Sequence, residues 1–526
     1  MTPLPAPRRP GAGGRSRAAA LLLALALVAA CAPVRHDPST TQAEPQPPAT
    51  SGALGEWLAD DPAVARGESG FQLIGSGRSA FQWRIETARL ADDRLQVQYY
   101  IWRDDDAGRL LIKELLAAAE RGVDVYFLLD DMDTRGNDAA LAAFDAHPNV
   151  EVRLFNPFRS RWGLLRSGVE LVFRASDLNH RMHNKAWVAD GQVAIVGGRN
   201  IANQYFDAGR PYNFVDLDVA VAGPIAQEVD HAFVTYWNSP AALPIDQLRR
   251  NPKDIEAVER KKHRLKAWSD EQADRTLLQA RDAPPPRVRN RDRYRWTDQA
   301  ELVVDNPEKA LGETSDTNVV LPALVRRFEQ TEESVRLISP YFVPGAEGTR
   351  GLTDLVDRGV DVGILTNSLA ATDVALAHSG YARRRGALLD GGVTLYELRP
   401  SAWRHAPGPQ ATAFGLGASR ASLHTKAALF DDREVFLGSF NLDPRSAHIN
   451  TELGLFIEDA QIAETLQRVW SQATRPELSY QIRRDESGRV RWSDDAGNQY
   501  RRDPKAGPWR RFVAGFARLL PIESQL

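Results

Sequence analysis

Two short segments of this chain carry the same set of reactive side chains. In the first, His183 and Lys185 are followed by Asp190 and then by Gly197-Gly198-Arg199-Asn200. In the second, His424 and Lys426 are followed by Asp431 and then by Gly438-Ser439-Phe440-Asn441. Each His, Lys, Asp, first Gly and Asn recurs 241 positions later. The chain has ten histidines. At ordinary residue frequencies a single chance H-x-K-x(4)-D is expected in roughly one such chain in a hundred. Two at one offset, each with the same Gly and Asn tail, mark a duplicated functional unit.

Alternate residues of a strand point the same way, so His183 and Lys185 are expected to share a face, as are His424 and Lys426. Two imidazoles, two ammonium groups and two amides (Asn200 and Asn441) together make a cationic pocket with polar donors. That pocket suits an anionic phosphodiester. Lysine and asparagine hold the non-bridging oxygens as charge develops, one imidazole attacks phosphorus, and the other protonates the leaving oxygen. Only nine of the 66 basic residues are lysine, the rest arginine. Two lysines kept as compact point charges in such a chain point to a site role. A zinc site fits poorly, because a lysine beside each histidine repels the metal. His180 sits three residues before His183 but has no counterpart in the second segment. No metal and no cofactor is expected.

The elements that position these residues repeat as well. Arg121-Gly-Val-Asp-Val125 recurs as Arg358-Gly-Val-Asp-Val362. Each copy follows a helical stretch (Leu110–Glu120 and Leu352–Asp357) and leads into an apolar run (Tyr126–Leu129 and Gly363–Leu365). Upstream, Leu95–Trp102 and Val335–Val343 read as strands ending in aromatics, with Tyr100 matching Tyr341. Strand, helix, glycine turn, strand is a βαβ reading. The expected fold is α/β: a pseudo-dimer of two domains, each a mixed sheet flanked by helices, with the active site at their junction. One chain then suffices for one site, and the oligomeric state stays open.

With 526 residues, 43% of them hydrophobic, the chain has ample core material. Its net charge of −3 argues against a globally basic nucleic-acid binder. A single cysteine excludes intramolecular disulfides, iron–sulfur clusters and multi-cysteine zinc sites. That cysteine, Cys31, ends a run of small and aliphatic residues (Ala18–Ala30) preceded by Arg8, Arg9, Arg15 and Arg17. The pattern reads as a secretory signal, and Leu27-Val28-Ala29-Ala30-Cys31 resembles a bacterial lipoprotein box. Cys31 is thus expected to be lipidated, giving a membrane-anchored lipoprotein on the periplasmic side of the envelope. Ala32 is no Asp-type retention signal and leaves the outer membrane open. The divisions expected are 1–31 signal, 32–52 flexible tether, 53–240 first domain, 241–295 helical insertion and linker, 296–475 second domain, and 476–526 a hairpin and an amphipathic helix. In that helix Trp509, Phe512, Val513, Phe516, Leu519 and Leu520 fall at helical spacing among arginines, a stripe that packs on the domain or lies on anionic lipid.

H-x-K-x(4)-D with G-[GS]-x-N, in two copies, resembles the signature of the phospholipase D superfamily. The longer run Gly438–Ser446 with Asn450-Thr451-Glu452 is similar to its bacterial cardiolipin synthase branch. Gln98–Trp102, Arg181–Lys185, Gly197–Ile201 and Leu365–Ala370 resemble the type that uses phosphatidylethanolamine as co-substrate. The likeness runs from about residue 70 to the C-terminus.

The resemblance implies a phosphatidyltransferase making cardiolipin from phosphatidylglycerol and phosphatidylethanolamine at a membrane surface, without nucleic acid. His183 would form a phosphohistidine and His424 would act as general acid, then base, although the symmetry of the halves leaves that assignment open. Lys185, Lys426, Asn200 and Asn441 would bind phosphate. Asp216 and Glu452 occupy corresponding places and would orient an imidazole, the neighbouring or the opposed one. Asp190 and Asp431 belong to the motif but are more structural than chemical in this superfamily. A hydrolytic phospholipase D is the main alternative. A nuclease or a non-enzymatic tethered binding protein is disfavoured by the anchor and by two intact motifs.

Overall fold

A computed structural model describes residues 42–526 apart from 135, 159–178, 211, 249–259, 261–267, 269–272, 286, 313–316, 402–419, 519, 521–522 and 524–526. The segment expected to be a signal, and Cys31, lie outside the described residues.

Two large sheets carry the duplication. The first, in spatial order, is β10 (Arg295–Thr297), β1 (Ser69–Ile74), β8 (Asp218–Ala222), β6 (Val193–Gly197), β5 (Ala186–Ala189), β2 (Arg94–Tyr99), β3 (Asp124–Asp130), β4 (Val150–Phe155) and β9 (Ala242–Pro244). The second is β11 (Ala300–Val304), β18 (Leu453–Glu458), β17 (Glu434–Gly438), β16 (Ala427–Phe430), β12 (Ser334–Ile338), β13 (Asp361–Asn367), β14 (Thr394–Leu398), β19 (Ser479–Arg484), β20 (Val490–Ser493) and β21 (Gln499–Tyr500). Seven strands match one for one, from β1 to β4 in one sheet and from β11 to β14 in the other. In each sheet the central βαβα strands are parallel and the strands after H-x-K add antiparallel.

Side-chain caps or a proline mark the start of several helices. The first half has α1 (Gly77–Leu90), capped by Ser76, α2 (Asp106–Glu120), capped by Asp105, and α3 (Pro224–Trp237), which starts on a proline. The second has α4 (Val320–Gln330), α5 (Gly345–Asp357), α6 (Ala375–Asp390) and α7 (Ala460–Ala473), the last capped by Asp459. Each half buries its own core. A third core joins the halves: Val188, Val196, Val219 and Val221 from the first sheet lie in one buried cluster with Leu429, Val435, Leu437 and Leu455 from the second. At roughly 1.5–3 kcal/mol for each fully buried aliphatic side chain, this face binds the halves tightly.

Three expectations change. The stretch expected to be a flexible tether is docked where it is described. Arg94 donates to Gln46 O and Pro47 O, Ala49 N–H donates to Asp190 O at 3.0 Å, and Ala43 exchanges hydrogen bonds with the Asn238 side chain. A proline-rich chain keeps its carbonyls free for such acceptor roles. From Gly52 the chain is already helical, to Ala59. The insertion and linker is not only helical: it supplies β9 on one edge of the first sheet and, with Arg295, the start of β10 on the other. Three-residue strands carry too little alternation to be read from sequence. The C-terminal hairpin forms as β19–β20, but it extends the second sheet through β14. Further along the chain lies α8 (Pro508–Ala517). Among the described residues, no helix is long and apolar enough to cross a membrane.

Candidate active site

The H-x-K segments are not inside strands, as the alternation reading supposed. Each is the extended approach to a strand, β5 or β16. Their own sheets do not continue there because the backbone partners belong to the other half. His183 N–H donates to Thr451 O at 2.9 Å, and Thr451 N–H to Arg181 O at 2.9 Å. His424 and Thr425 N–H groups both donate to Val215 O, at 2.7 and 3.0 Å. Just upstream, β7 (Tyr212–Val215) pairs in parallel with β15 (Arg420–Leu423). Each motif is thus stitched to the opposite half before its side chains are considered.

The acids cross the junction too. His183 Nδ1 lies 3.0 and 2.9 Å from the two carboxylate oxygens of Glu452. His424 Nδ1 lies 2.5 Å from Asp216 Oδ2. Each acid therefore serves the opposed imidazole. Ser439, the variable residue of G-[GS]-x-N, donates to Glu452. The first half's glycine pair makes room for the approach: a Cβ on Gly198 would sit 2.6 Å from Asp216 Oδ1 and 3.0 Å from Lys426 Cδ.

The lysines are buried beside the histidines. Lys185 Nζ donates to His183 O and lies 5.4 Å from the centre of the Tyr100 ring. Lys426 Nζ donates to His424 O at 2.6 Å and lies 3.0 and 3.3 Å from the His424 ring nitrogens. Burial, opposed by the Glu452 charge, lowers Lys185 to about 7. Burial, opposed mainly by Asp216, lowers Lys426 to about 8. Burial also lowers His183 to about 4 and takes His424 well below the ordinary imidazole range, with the lysine charges adding to it. For Glu452, burial pushes upward, but the His183 partner and Lys185 prevail and hold it below the usual carboxylate range. Both imidazoles are therefore neutral in the free protein, and Nδ1–H of His183 donates to an ionised Glu452.

A pH profile follows. A lysine with a lowered pKa carries its charge below that value and loses it as the pH rises through it. kcat/KM, which reports the free protein, is expected to fall through about 7 to 8 as Lys185 and Lys426 deprotonate, and to fall on the acid side near His183's value of about 4. Lys185→Arg, whose guanidinium stays charged, should remove the lower alkaline step. A profile level from pH 6 to 9 in the wild-type protein would contradict this.

Asn441 is buried, and its Oδ1 has no hydrogen-bond partner within the protein, as befits a ligand-facing amide. Asn200 instead donates to Tyr205 OH at 3.1 Å and accepts from Ile101 N–H at 3.2 Å. Asp190 and Asp431 stand at the other end of β5 and β16, about 16 Å of strand from the lysines. Each accepts three successive backbone N–H groups, of residues 92–94 and 332–334 respectively. They shape the approach to β2 and β12 and do not reach the pocket. Asp190→Ala should cost about 3 kcal/mol of stability, from lost charge-assisted bonds and a left-handed backbone, read by denaturant unfolding, with turnover per folded molecule retained. Loss of turnover at unchanged stability would return Asp190 to the chemistry.

Several positioning residues carry no signature in the sequence. Tyr205 OH is 3.5 Å from His424 Nε2, and its ring meets that imidazole edge-on at 5.1 Å. Its offset from Asn200 is unlike anything in the other half. Phe214 packs on the same imidazole at 5.0 Å. Lys309 bonds Asp305 (2.7 Å) and Ser446 O (3.0 Å), while Asp305 accepts Glu452 N–H at 3.1 Å. The matched tyrosines were legible: Tyr100 and Tyr341 lie 5.0 and 6.5 Å from His183 and His424 respectively, both edge-on. His180, the tempting metal ligand, faces Lys309 O at 3.0 Å. Among the described residues, His378, Glu397 and Asp503 have spacing for a metal, but Arg385 Nη2 lies 2.9, 3.4 and 3.0 Å from Glu397, Asp503 and His378 and takes the cation's place.

Comparison with known proteins matches residues 84–237 and 324–473 to the family described as cardiolipin synthase, PLD-like domain. Those spans hold both H-x-K motifs and both crossing acids. The chain belongs to the phospholipase D-like cardiolipin synthase family. It is 39% identical over 462 residues to cardiolipin synthase C of Escherichia coli, covering 87% of this chain and 96% of the relative. It is 23% identical over 416 residues to a cardiolipin synthase of Staphylococcus aureus, covering 78% and 69%. Its fold is similar to a solved phosphatidylserine synthase of Haemophilus influenzae, with TM-score 0.56 at 15% identity, covering 87% of this chain and 95% of that one. The family and the phosphatidyltransferase class read from the motifs agree with these matches, as does the two-part α/β fold.

Proposed function

We propose that this member of the family makes cardiolipin by moving the phosphatidyl group of phosphatidylethanolamine onto a glycerol hydroxyl of phosphatidylglycerol, through a phosphohistidine on His183. The observation that carries the reading is the crossed pairing of His183 with Glu452 and His424 with Asp216 around two buried lysines. Two imidazoles, each backed by its own carboxylate, are what a two-step displacement needs. An ionised Glu452 leaves His183 Nε2 with a free lone pair and stabilises the positive ring that attack on phosphorus creates. The arriving anionic phosphodiester raises the basicity of His424, so His424 takes up the proton it gives to departing ethanolamine. In the second step His424 removes the proton of the glycerol hydroxyl, oxygen bonds to phosphorus, and the P–N bond to His183 breaks. Lys185, Lys426 and Asn441 hold the non-bridging oxygens throughout.

Purified protein with both lipids in mixed micelles should yield cardiolipin and free ethanolamine. Cardiolipin formed as well from phosphatidylglycerol alone, with glycerol released, would refute the co-substrate. Phosphatidic acid as main product would favour the hydrolase. The site is read as envelope-bound, on the periplasmic side, through Cys31. Labelled fatty acid that is incorporated equally by Cys31→Ser would refute the anchor.

A further inference from the structure

We propose that α8 is an interfacial docking helix that sets the mouth of the active site against an anionic phospholipid surface. This rests on the phosphatidyl-transfer reading of the site and adds to it the element that delivers the site to its substrate. Trp509, Phe512 and Phe516 are 73%, 61% and 55% exposed. They fall at i, i+3 and i+7, on one stripe of the helix. Their rings stack along it, Trp509 on Phe512 at 5.6 Å and Phe512 on Phe516 at 6.3 Å. Three adjacent exposed aromatics are far beyond the scattered apolar residues normal on a soluble surface.

The stripe is presented on a firmly held helix. Its other face is buried through Ala514 and Ala517, with Ala514 packed on Leu369, Ala370 and Ala506. Arg510 donates to Leu369 O (3.1 Å) and Thr372 O (2.7 Å), Arg511 to Asp503 O (2.9 Å), and Arg383 to Leu520 O (2.7 Å). Ten residues are too short to cross a bilayer but suit a helix lying in its interface.

Charge selects the occupant. Arg501, Arg502, Lys505 and Arg518 are exposed in the segments that flank the helix. Asp503 is the one acidic residue between 501 and 520, and it is turned inward to His378 at 3.2 Å and Arg385 at 3.4 Å. Exposed aromatics that can sit at the headgroup level, with exposed cations flanking their helix, complement an anionic lipid surface. Position makes the same selection. The loop that Arg510 holds continues into Asp373, which accepts the Tyr341 hydroxyl at 2.9 Å, and the Tyr341 ring faces His424. Val374, next along that loop, and Leu376, in the first turn of α6, are exposed as well. Three contacts thus link the helix to a catalytic imidazole: Arg510 to Thr372, Asp373 to Tyr341, and Tyr341 to His424.

The test uses the full chain carrying Cys31→Ser, so that no acyl group contributes, with and without Trp509→Ser/Phe512→Ser/Phe516→Ser. On dispersed short-chain phosphatidylglycerol and phosphatidylethanolamine the two should turn over within about twofold of each other. On vesicles of the long-chain lipids the triple variant should lose about tenfold or more in kcat/KM and no longer sediment with anionic vesicles. Equal turnover and sedimentation of both proteins with vesicles would overturn the proposal. So would a dimer that only the variant loses while vesicle binding persists, which would assign the stripe to a second copy of the chain. Failure of the transfer reading is separately visible: the parent protein would then be inactive on dispersed lipid while sedimentation still reports docking.

Discussion

His183→Ala and His424→Ala are each expected to lower phosphatidyl transfer by about 10⁴-fold or more, about 5.5 kcal/mol in the barrier, with melting temperature and circular dichroism little changed. The size follows from how the site is assembled. Neither half holds a complete set: the His183 imidazole depends on Glu452, and the His424 imidazole on Asp216. A duplicated fold with two independent sites would lose only half its rate on losing one histidine. Here the backbone of each motif is tied to the other half, through Thr451 and Val215, so the two imidazoles face one pocket. Truncation leaves a small cavity beside a carboxylate that retains other donors, Ser439 to Glu452 and Leu217 N–H to Asp216. Folding should therefore survive. Retention of a tenth or more of wild-type rate by either variant would contradict a single shared site.

Glu452→Gln is expected to lower the rate by about 10²- to 10³-fold, the second largest effect. Glutamine fills the same space, but it carries no charge to stabilise the ring cation formed when His183 attacks phosphorus. Its amide nitrogen also sets a second donor against His183 Nδ1 or Ser439, both of which now donate to the carboxylate. Because the acid acts through His183, the double variant Glu452→Gln/His183→Ala should be no slower than His183→Ala alone. Additive losses would mean that Glu452 supports folding and does not position the imidazole. Asp431→Asn, at the far end of β16, should leave the rate intact and supplies the control.

Much of this site was legible from residue types and one spacing. The H-x-K repeats, their Gly and Asn tails and the pentapeptide at Arg121 and Arg358 located two copies of one supersecondary unit. Tyr100 and Tyr341 fell where their shared place at the end of a strand put them. What was not legible depends on how the halves face each other. Asp216 directly follows β7 and Glu452 directly precedes β18, and nothing local says that they reach across. That pairing comes from two sheets packing through Val196, Val219, Leu437 and Leu455, a long-range event with no periodicity to announce it. Tyr205 and Lys309 were missed because they act on only one half, so duplication gives them no echo. The docking of residues 43–49 was missed because their contacts are made by backbone N–H and C=O groups, which side-chain patterns do not encode.

The most direct test is to look for the covalent intermediate. His424→Gln retains the nucleophile but lacks both the acid that protonates ethanolamine and the base that would deprotonate an incoming hydroxyl, so it is offered phosphatidyl-p-nitrophenol, whose leaving group needs no proton, without acceptor. After rapid acidic-free quenching and digestion, mass spectrometry should find the phosphatidyl group on the peptide that contains His183. The same preparation carrying His183→Ala should show none. An adduct on another residue, or full transfer activity in the His183→Ala protein without any adduct, would contradict the account.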